Sequence, residues 1–246
     1  MPEQLTLYSA RICPWAQRAT REQVDITLKE SGLSYERFEV DLLNKPEWYA
    51  PKVNPVSKVP ALAYGGPKVS PDQPSPESQK LAESLVLIEF IADLVESLRP
   101  KDPVIKAKAR FFVETVTAKL PPAWYGAATR GESLDNVLAA IDVLQSLLPA
   151  EGYAVGEWSI ADAAVTPFLA RIDLALKNDL GAYDEGLGRK AWNTLHTDPK
   201  FERFRKYFAD VRARKSFQET FDTEHILTNY QKRFSELREK RLGAGV

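Results

Sequence analysis

Apolar and polar residues keep two rhythms along this chain. Up to residue 82 they switch between short extended runs and a three-to-four-residue beat. The pattern predicts a strand over 5–8, a helix over 14–31 with Gly32 as its C-cap, and a second strand over 35–40. Residues 45–49 are a short polar and aromatic segment, and 59–64 form a third extended run. A β-α-β opening implies a parallel pair crossed by a helix. Residues 65–79 break both rhythms. Gly65, Gly66, Pro67, Pro71, Pro74 and Pro76, with Ser and Gln between them, predict a surface loop between two strands of one small sheet. The last strand is short, near 80–82, and an apolar helix follows over 85–98.

Residues 99–103, Arg-Pro-Lys-Asp-Pro, stop that helix and expose the backbone. Beyond them the pattern is helical, with candidate helices at 104–119, 133–148, 160–176, 188–195, 199–213 and 223–241. Ser159-Ile160-Ala161-Asp162 predicts a capping box, in which Ser159 and Asp162 each bond the other's backbone N–H. Pro167 is expected to kink the helix that follows, and the charged stretch 231–241 to be a solvated helix. The fold class is therefore α/β followed by all-α, with a domain over 1–98 and an all-helical one over 104–246.

Composition narrows the partners. Against 34 Asp and Glu stand 33 Lys and Arg, a net charge of -1, which gives no general affinity for nucleic acid or an anionic membrane. No apolar run reaches the roughly 18–20 residues of a membrane span. Arg11, Gln17 and Arg18 interrupt any apolar core of a secretory signal near the start. A single cysteine excludes an intramolecular disulfide, and the expected compartment is a reducing one, the cytoplasm. His196 and His225 with one distant cysteine make no usual zinc site, so no metal is expected and both histidines are taken as structural.

That cysteine is Cys13, within Cys13-Pro14-Trp15-Ala16-Gln17-Arg18. Lone cysteines are ordinarily inert and buried. Here the predicted strand gives way to a helix N-terminus, where backbone N–H donors and the helix dipole favour the nucleophilic thiolate. Ser9, four residues earlier, is a candidate helper hydroxyl. Pro60 heads a strand, a position suited to an edge or a break. A cis Val59-Pro60 bond would free the preceding N–H and C=O for a peptide ligand. Ser84, just before an apolar helix, is a good N-cap. With Glu83 it also suits a ligand carrying both a carboxylate and an ammonium, such as the γ-glutamyl end of glutathione. Lys45 and Lys58 are candidate carboxylate binders, although loop lysines are usually just solvated. Trp124, Tyr125, Trp158 and Phe168 are core aromatics or the lining of an apolar pocket. The chain has no Gly-rich phosphate loop.

Five motifs in order resemble those of a cytosolic glutathione transferase over nearly the whole length. Cys13-Pro14-Trp15-Ala16-Gln17-Arg18 resembles the omega-class Cys-Pro-aromatic-Ala-x-Arg signature. Lys45-Pro46-Glu47-Trp48 resembles the segment after the second strand, Val59-Pro60 the cis-Pro site, Glu83-Ser84 the glutathione-binding pair, and Ser159–Asp162 the helical-domain capping box. The resemblance implies an N-terminal thioredoxin-like domain and a C-terminal helical transferase domain. It implies that Cys13 forms a mixed disulfide with glutathione, that Val59 pairs through its backbone with the cysteinyl part, and that Glu83 and Ser84 hold the γ-glutamyl end. Lys45 reaches the glycine carboxylate or a nearby acceptor, and Lys58 and Pro60 complete the glutathione set. It places a second-substrate pocket between the domains, lined by Pro14, Trp15, Tyr125, Phe168 and Arg171, and implies a homodimer. Two features depart from the pattern. The 65–79 loop is longer than usual and is expected to cover part of the glutathione site or a dimer edge. Trp15 also resembles the Cys-Pro-Trp-Ala motif of glutathionyl-hydroquinone reductases, while Gln17 does not fit them.

Residue chemistry then sets the reaction type. Ala16 removes the resolving thiol of a Cys-x-x-Cys pair, so a second glutathione must resolve the mixed disulfide. The expectation is a monothiol thioltransferase or deglutathionylase with glutathione as cosubstrate, acting on glutathionylated or small aromatic substrates. Two alternatives stand beside it, a ligandin that binds plant-type phenolics and a glutathionyl-hydroquinone reductase-like enzyme.

Overall fold

The computed structural model describes residues 4–10 and 20–243, and the chain divides into two compact units, Met1–Arg99 and Pro100–Val246. In the first, β1 (Leu5–Ser9) runs parallel to β2 (Glu36–Glu39) and antiparallel to β3 (Ala61–Tyr64), and β4 (Gln79–Ala82) pairs antiparallel with β3. The order is β2-β1-β3-β4. The parallel pair is the one the β-α-β pattern implies, with α1 (Thr20–Ser31) in the connection. Residues 11–19, which hold the start of the predicted 14–31 helix, lie outside the described residues. Gly32, at φ +67°, follows α1 in a conformation that a side chain would strain.

Alternation along the strands sends Tyr8, Ala61 and Ala63 to one face. There they pack with Val40, Tyr49 and Val53, and with half-buried Phe38, Leu42, Trp48 and Val59. Tyr49 opens the short helix α2 (Tyr49–Lys52), which grows from the predicted polar and aromatic segment. The rings of Tyr8, Phe38, Trp48 and Tyr49 meet tilted or edge-on, with centroids 5.2–6.3 Å apart. Helix α3 (Ser84–Leu94) packs on α1 and against β3 and β4. It is shorter than the predicted 85–98 helix, because the chain passes through extended Val95 into a 3-10 turn at Glu96–Leu98.

The loop between β3 and β4 is docked along its length. Gln4 accepts from the Gly65 N–H through its carbonyl (2.8 Å) and exchanges two side-chain hydrogen bonds with the backbone of Val69 (2.7 and 2.8 Å). The Tyr8 hydroxyl donates to Pro71 O at 2.9 Å. Burial, helped by the charges of Asp72 and Glu36, pushes the Tyr8 phenol up to about 12, so it stays a donor. The Lys80 ammonium donates to Ser75 O (2.6 Å), Ser78 O (2.7 Å) and Ser78 Oγ (2.8 Å). Three acceptors converge on one cation, which fixes the second half of the loop to β4. Replacing Lys80 with Met strands these acceptors. The expected cost is about 1–2 kcal/mol, read as a lower unfolding midpoint together with faster proteolysis inside 65–78.

The second unit is helical. Asp102 caps α4 (Pro103–Tyr125) by accepting from the N–H groups of Val104 (2.7 Å) and Ile105 (3.0 Å), and Pro103 occupies the first turn, where no N–H is needed. The sequence pattern ends this helix at 119 because Pro121 and Pro122 lack two intrahelical donors. The helix continues to Tyr125 instead. Phe112, Val116, Leu120 and Trp124 recur every fourth residue on one buried face, and their packing outweighs the lost bonds. A π turn over Gly126–Arg130 then leads to α5 (Asp135–Leu147). Helix α6 (Ile160–Lys177) holds Pro167 in its interior, as the predicted 160–176 helix does, and is buried continuously from Ile160 to Ile172. Around it pack α4, α7 (Leu187–Thr197), α8 (Glu202–Ala213) and α10 (Thr223–Gly243). The six-residue α9 (Lys215–Thr220) has too few positions to show a period and was not foreseen.

Ser159 and Asp162 form the capping box of α6. Asp162 is fully buried, and Oδ2 accepts from Ser159 N–H (3.0 Å) and Ser159 Oγ–H (3.4 Å). Oδ1 accepts from Ala154 N–H (2.8 Å) and Tyr207 Oη–H (3.0 Å), so the same carboxylate ties α6 to α8 and to the preceding turn. Burial pushes this carboxyl from 3.8 up to about 6 against the pull of its donors. Between roughly pH 4 and 6 the folded chain therefore holds a proton that the unfolded chain has released. The resulting stability is full below about pH 4 and is lost as pH rises through about 6. Denaturation midpoints taken from pH 4 to 7 should fall with this sign. Asp162→Asn should flatten the descent and lower stability by about 1–3 kcal/mol, because an amide NH2 then faces donors.

Candidate functional site

Strand register gathers the candidate residues of the first unit at one end of the sheet. Tyr8 lies opposite Ala61, and Ala61 opposite Ala82. The end of β1, the Val59–Pro60 segment before β3 and the Glu83–Ser84 pair after β4 are therefore neighbours. The chain leaves β1 at this end, four residues before Cys13. Cys13, Pro14 and Trp15 themselves lie outside the described residues. Ser9 is fully buried, and its hydroxyl has no hydrogen-bond partner among the described residues.

The Val59–Pro60 peptide is cis. Pro60 is buried, and the Val59 side chain packs against the aromatic cluster under the sheet. Among the described residues neither the N–H nor the C=O of Val59 has a hydrogen-bond partner. A peptide edge is thus presented with one donor and one acceptor unused, next to the exit of β1.

On the other side of β3, Glu83 takes φ +70° and ψ 117°, a conformation that costs a non-glycine residue about 1 kcal/mol or more. Glu83, and not Ser84, is the N-cap residue of α3, which corrects the sequence expectation. The turn out of β4 is completed at Glu83, so Ser84 already has helical geometry. No side chain caps this helix. The N–H groups of its first turn are left toward the edge where Glu83 is exposed, an electropositive terminus beside a carboxylate side chain that has no partner among the described residues. Such a pair answers a ligand that carries a carboxylate and an ammonium.

The two lysines differ in how they are held. Lys45 Nζ donates to Ser57 O at 2.6 Å and lies 3.5 Å from Ser57 Oγ. Its ammonium is anchored to the loop before the cis peptide. The Lys58 side chain is exposed, while its carbonyl oxygen accepts from Tyr49 Oη–H (2.7 Å) and Asn54 Nδ2–H (2.9 Å). Burial raises the Tyr49 phenol further than Tyr8 and keeps it a donor. Sequence reading passed over Tyr49 and Asn54. The signal available for Asn54 was Asn54-Pro55, a turn-forming pair whose amide bonds its own backbone. Its Oδ1 does accept from Val56 N–H at 3.2 Å.

In the helical unit Tyr125 is 46% exposed at the end of α4, with the Arg130 guanidinium 5.1 Å from its ring centroid. Phe168 and Arg171 are buried on α6. Arg171 donates to the Tyr230 hydroxyl at 3.2 Å and lies over that ring at 5.8 Å. An open polar groove along α7, lined by Arg189, Lys190, Asn193 and Thr197 among others, contains none of the candidate residues. Among the described residues no group of three or more His, Cys, Asp or Glu is placed to hold a metal ion, and no helix is long and apolar enough to cross a membrane.

Residues 12–94 match the family model for the glutathione S-transferase N-terminal domain. Glutathione transferase Omega 1C from Trametes versicolor is 54% identical with a TM-score of 0.89, covering 96% of this chain and 98% of that one. Omega 2S from the same fungus, solved in complex with 2,4-dihydroxybenzophenone, is 42% identical with a TM-score of 0.84, covering 94% and 97%. Pyrimidodiazepine synthase from Drosophila melanogaster is 30% identical over 178 residues, which span 69% of this chain and 65% of that protein.

Proposed function

The chain belongs to the omega-class glutathione transferases, and from that membership we propose that it works by monothiol chemistry at Cys13. The Cys13 thiolate attacks the glutathionyl sulfur of a disulfide R–S–S–G. The S–S bond breaks, R–S⁻ leaves and takes a proton, and Cys13–S–S–G forms. A second glutathione thiolate then attacks this mixed disulfide, releases the Cys13 thiolate and leaves as oxidised glutathione. No residue of the chain supplies a second thiol, since Cys13 is its single cysteine. In this reading Val59 pairs with the cysteinyl backbone of glutathione, Glu83 and Ser84 hold its γ-glutamyl end, and Lys45, Lys58 and Pro60 shape the glycine side. The observation that supports the reading is that, among the described residues, the N–H and C=O of Val59 and the start of α3 are left without partners on the edge that also bears Glu83. The protein acts as a homodimer in the cytoplasm.

An aromatic second ligand belongs to the same reading, met by Pro14, Trp15, Tyr125, Phe168 and Arg171. It is favoured by the 42% identical Omega 2S structure, which is a complex with 2,4-dihydroxybenzophenone. A ligandin role and a hydroquinone-reductase-like reaction share this ligand class.

Intact mass after exposure to oxidised glutathione should show one adduct of about 305 Da, confined to Cys13 and removed by reduced glutathione. Cys13→Ser should abolish both the adduct and deglutathionylation of a glutathionylated peptide. Retained turnover in that variant would sink the mechanism. Titrating 2,4-dihydroxybenzophenone against tryptophan fluorescence separates carriage from catalysis. Saturable binding that survives both Cys13→Ser and the absence of glutathione favours the ligandin reading.

A further inference from the structure

We propose that Tyr49 and Asn54 are positioning residues for glutathione, acting through the carbonyl of Lys58 to fix the edge that Val59 presents. The inference rests on the glutathione reading above and extends it to two residues that face the protein interior. Both are buried, Tyr49 completely and Asn54 at 4% exposure. Their donors converge on one oxygen, Lys58 O, at 2.7 and 2.9 Å. This is the carbonyl of the peptide whose N–H belongs to Val59, so fixing it fixes the direction in which that N–H points.

The rest of the turn is held the same way. Asn54 O accepts from Ser57 N–H at 2.7 Å, Asn54 Oδ1 accepts from Val56 N–H, and Asn54 N–H donates to Tyr49 O at 3.2 Å. Lys45 fixes Ser57 O. Ser57 itself sits at φ +54°, a left-handed conformation that a non-glycine keeps only when its surroundings impose it. From residue 54 to 58 these polar groups are tied inward. At Val59 the ties stop, and its N–H and C=O are without partners among the described residues. The turn is rigid where it touches the protein and unsatisfied where a peptide ligand would pair. Such a preformed edge spares a ligand the cost of ordering it.

Two variants remove one donor each without touching Val59. Tyr49→Phe keeps the ring in its aromatic cluster and deletes only the hydroxyl, and Asn54→Ala deletes the amide. Adduct formation on Cys13 is timed by intact mass with two disulfides, oxidised glutathione and bis(2-hydroxyethyl) disulfide. The second carries no peptide groups to pair with Val59. Each variant should react about five- to tenfold more slowly with oxidised glutathione, at an unchanged rate with bis(2-hydroxyethyl) disulfide. Equal slowing with both reagents would mark a merely structural role and overturn the proposal, as would no slowing with either. The wild-type protein separates this from the underlying reading. If it shows no preference for oxidised glutathione, the glutathione reading itself fails. If it shows the preference and both variants retain it, only the positioning role falls. Tyr49→Phe preserves the packing, so the test stands even where Asn54→Ala does not fold.

Discussion

One carbonyl oxygen, Lys58 O, carries more of the first unit than its place in a five-residue turn suggests. Two buried donors meet there, one from α2 and one from the turn itself. If either buried donor is lost, one of the two bonds to this carbonyl goes unmade, at a cost comparable to a net hydrogen bond. The phenol that provides one of these bonds also stands in the cluster with Tyr8, Phe38 and Trp48. The aromatic face of the sheet and the geometry before the cis peptide are therefore a single construction. Tyr8 extends it in the opposite direction, to Pro71 in the β3–β4 loop.

The same economy recurs where the two units are most polar inside. Lys80 collects three oxygens of its loop, and Asp162 collects four donors from Ala154, Ser159 and Tyr207. In each case a charge withdrawn from water is answered by several short contacts, which buried charges require. These centres differ in consequence. Lys80 shapes a surface loop, whereas Asp162 sits at the start of the helix around which the helical unit packs, and its titration reaches the stability of that unit.

Much of the architecture was legible because it rests on local rules. A short apolar run marked β1, an alternating one β2, and Gly32 the end of α1, whereas the Asp102 cap and Pro103 first turn of α4 lay in the segment read as a linker. The misreadings have a common cause. Pro121 and Pro122 are local breakers, yet α4 runs through them because buried side chains on either side are worth more than the missing bonds. Ser84 has the chemistry of an N-cap, but a backbone turn at Glu83 set the helix start one residue earlier. Lys45 was read as reaching the glycine carboxylate or a nearby acceptor, and its ammonium donates to Ser57 O.

By itself, the sequence limited the thiol chemistry and the fold class. A single cysteine and Ala16 beside it limit thiol reactions to one sulfur, and a β-α-β pattern followed by helices decides the fold class. Those properties belong to residue types and their spacing, so no contact is needed to state them. Only the tertiary structure decided which polar groups are used and which are left over. Among the described residues the Val59 N–H and C=O are left without partners while Tyr49, Asn54 and Lys45 satisfy the groups before them, and the Glu83 side chain makes no cap bond at the start of α3. Hydrogen bonds between residues distant along the chain are consequences of packing, and packing is not written in any one segment.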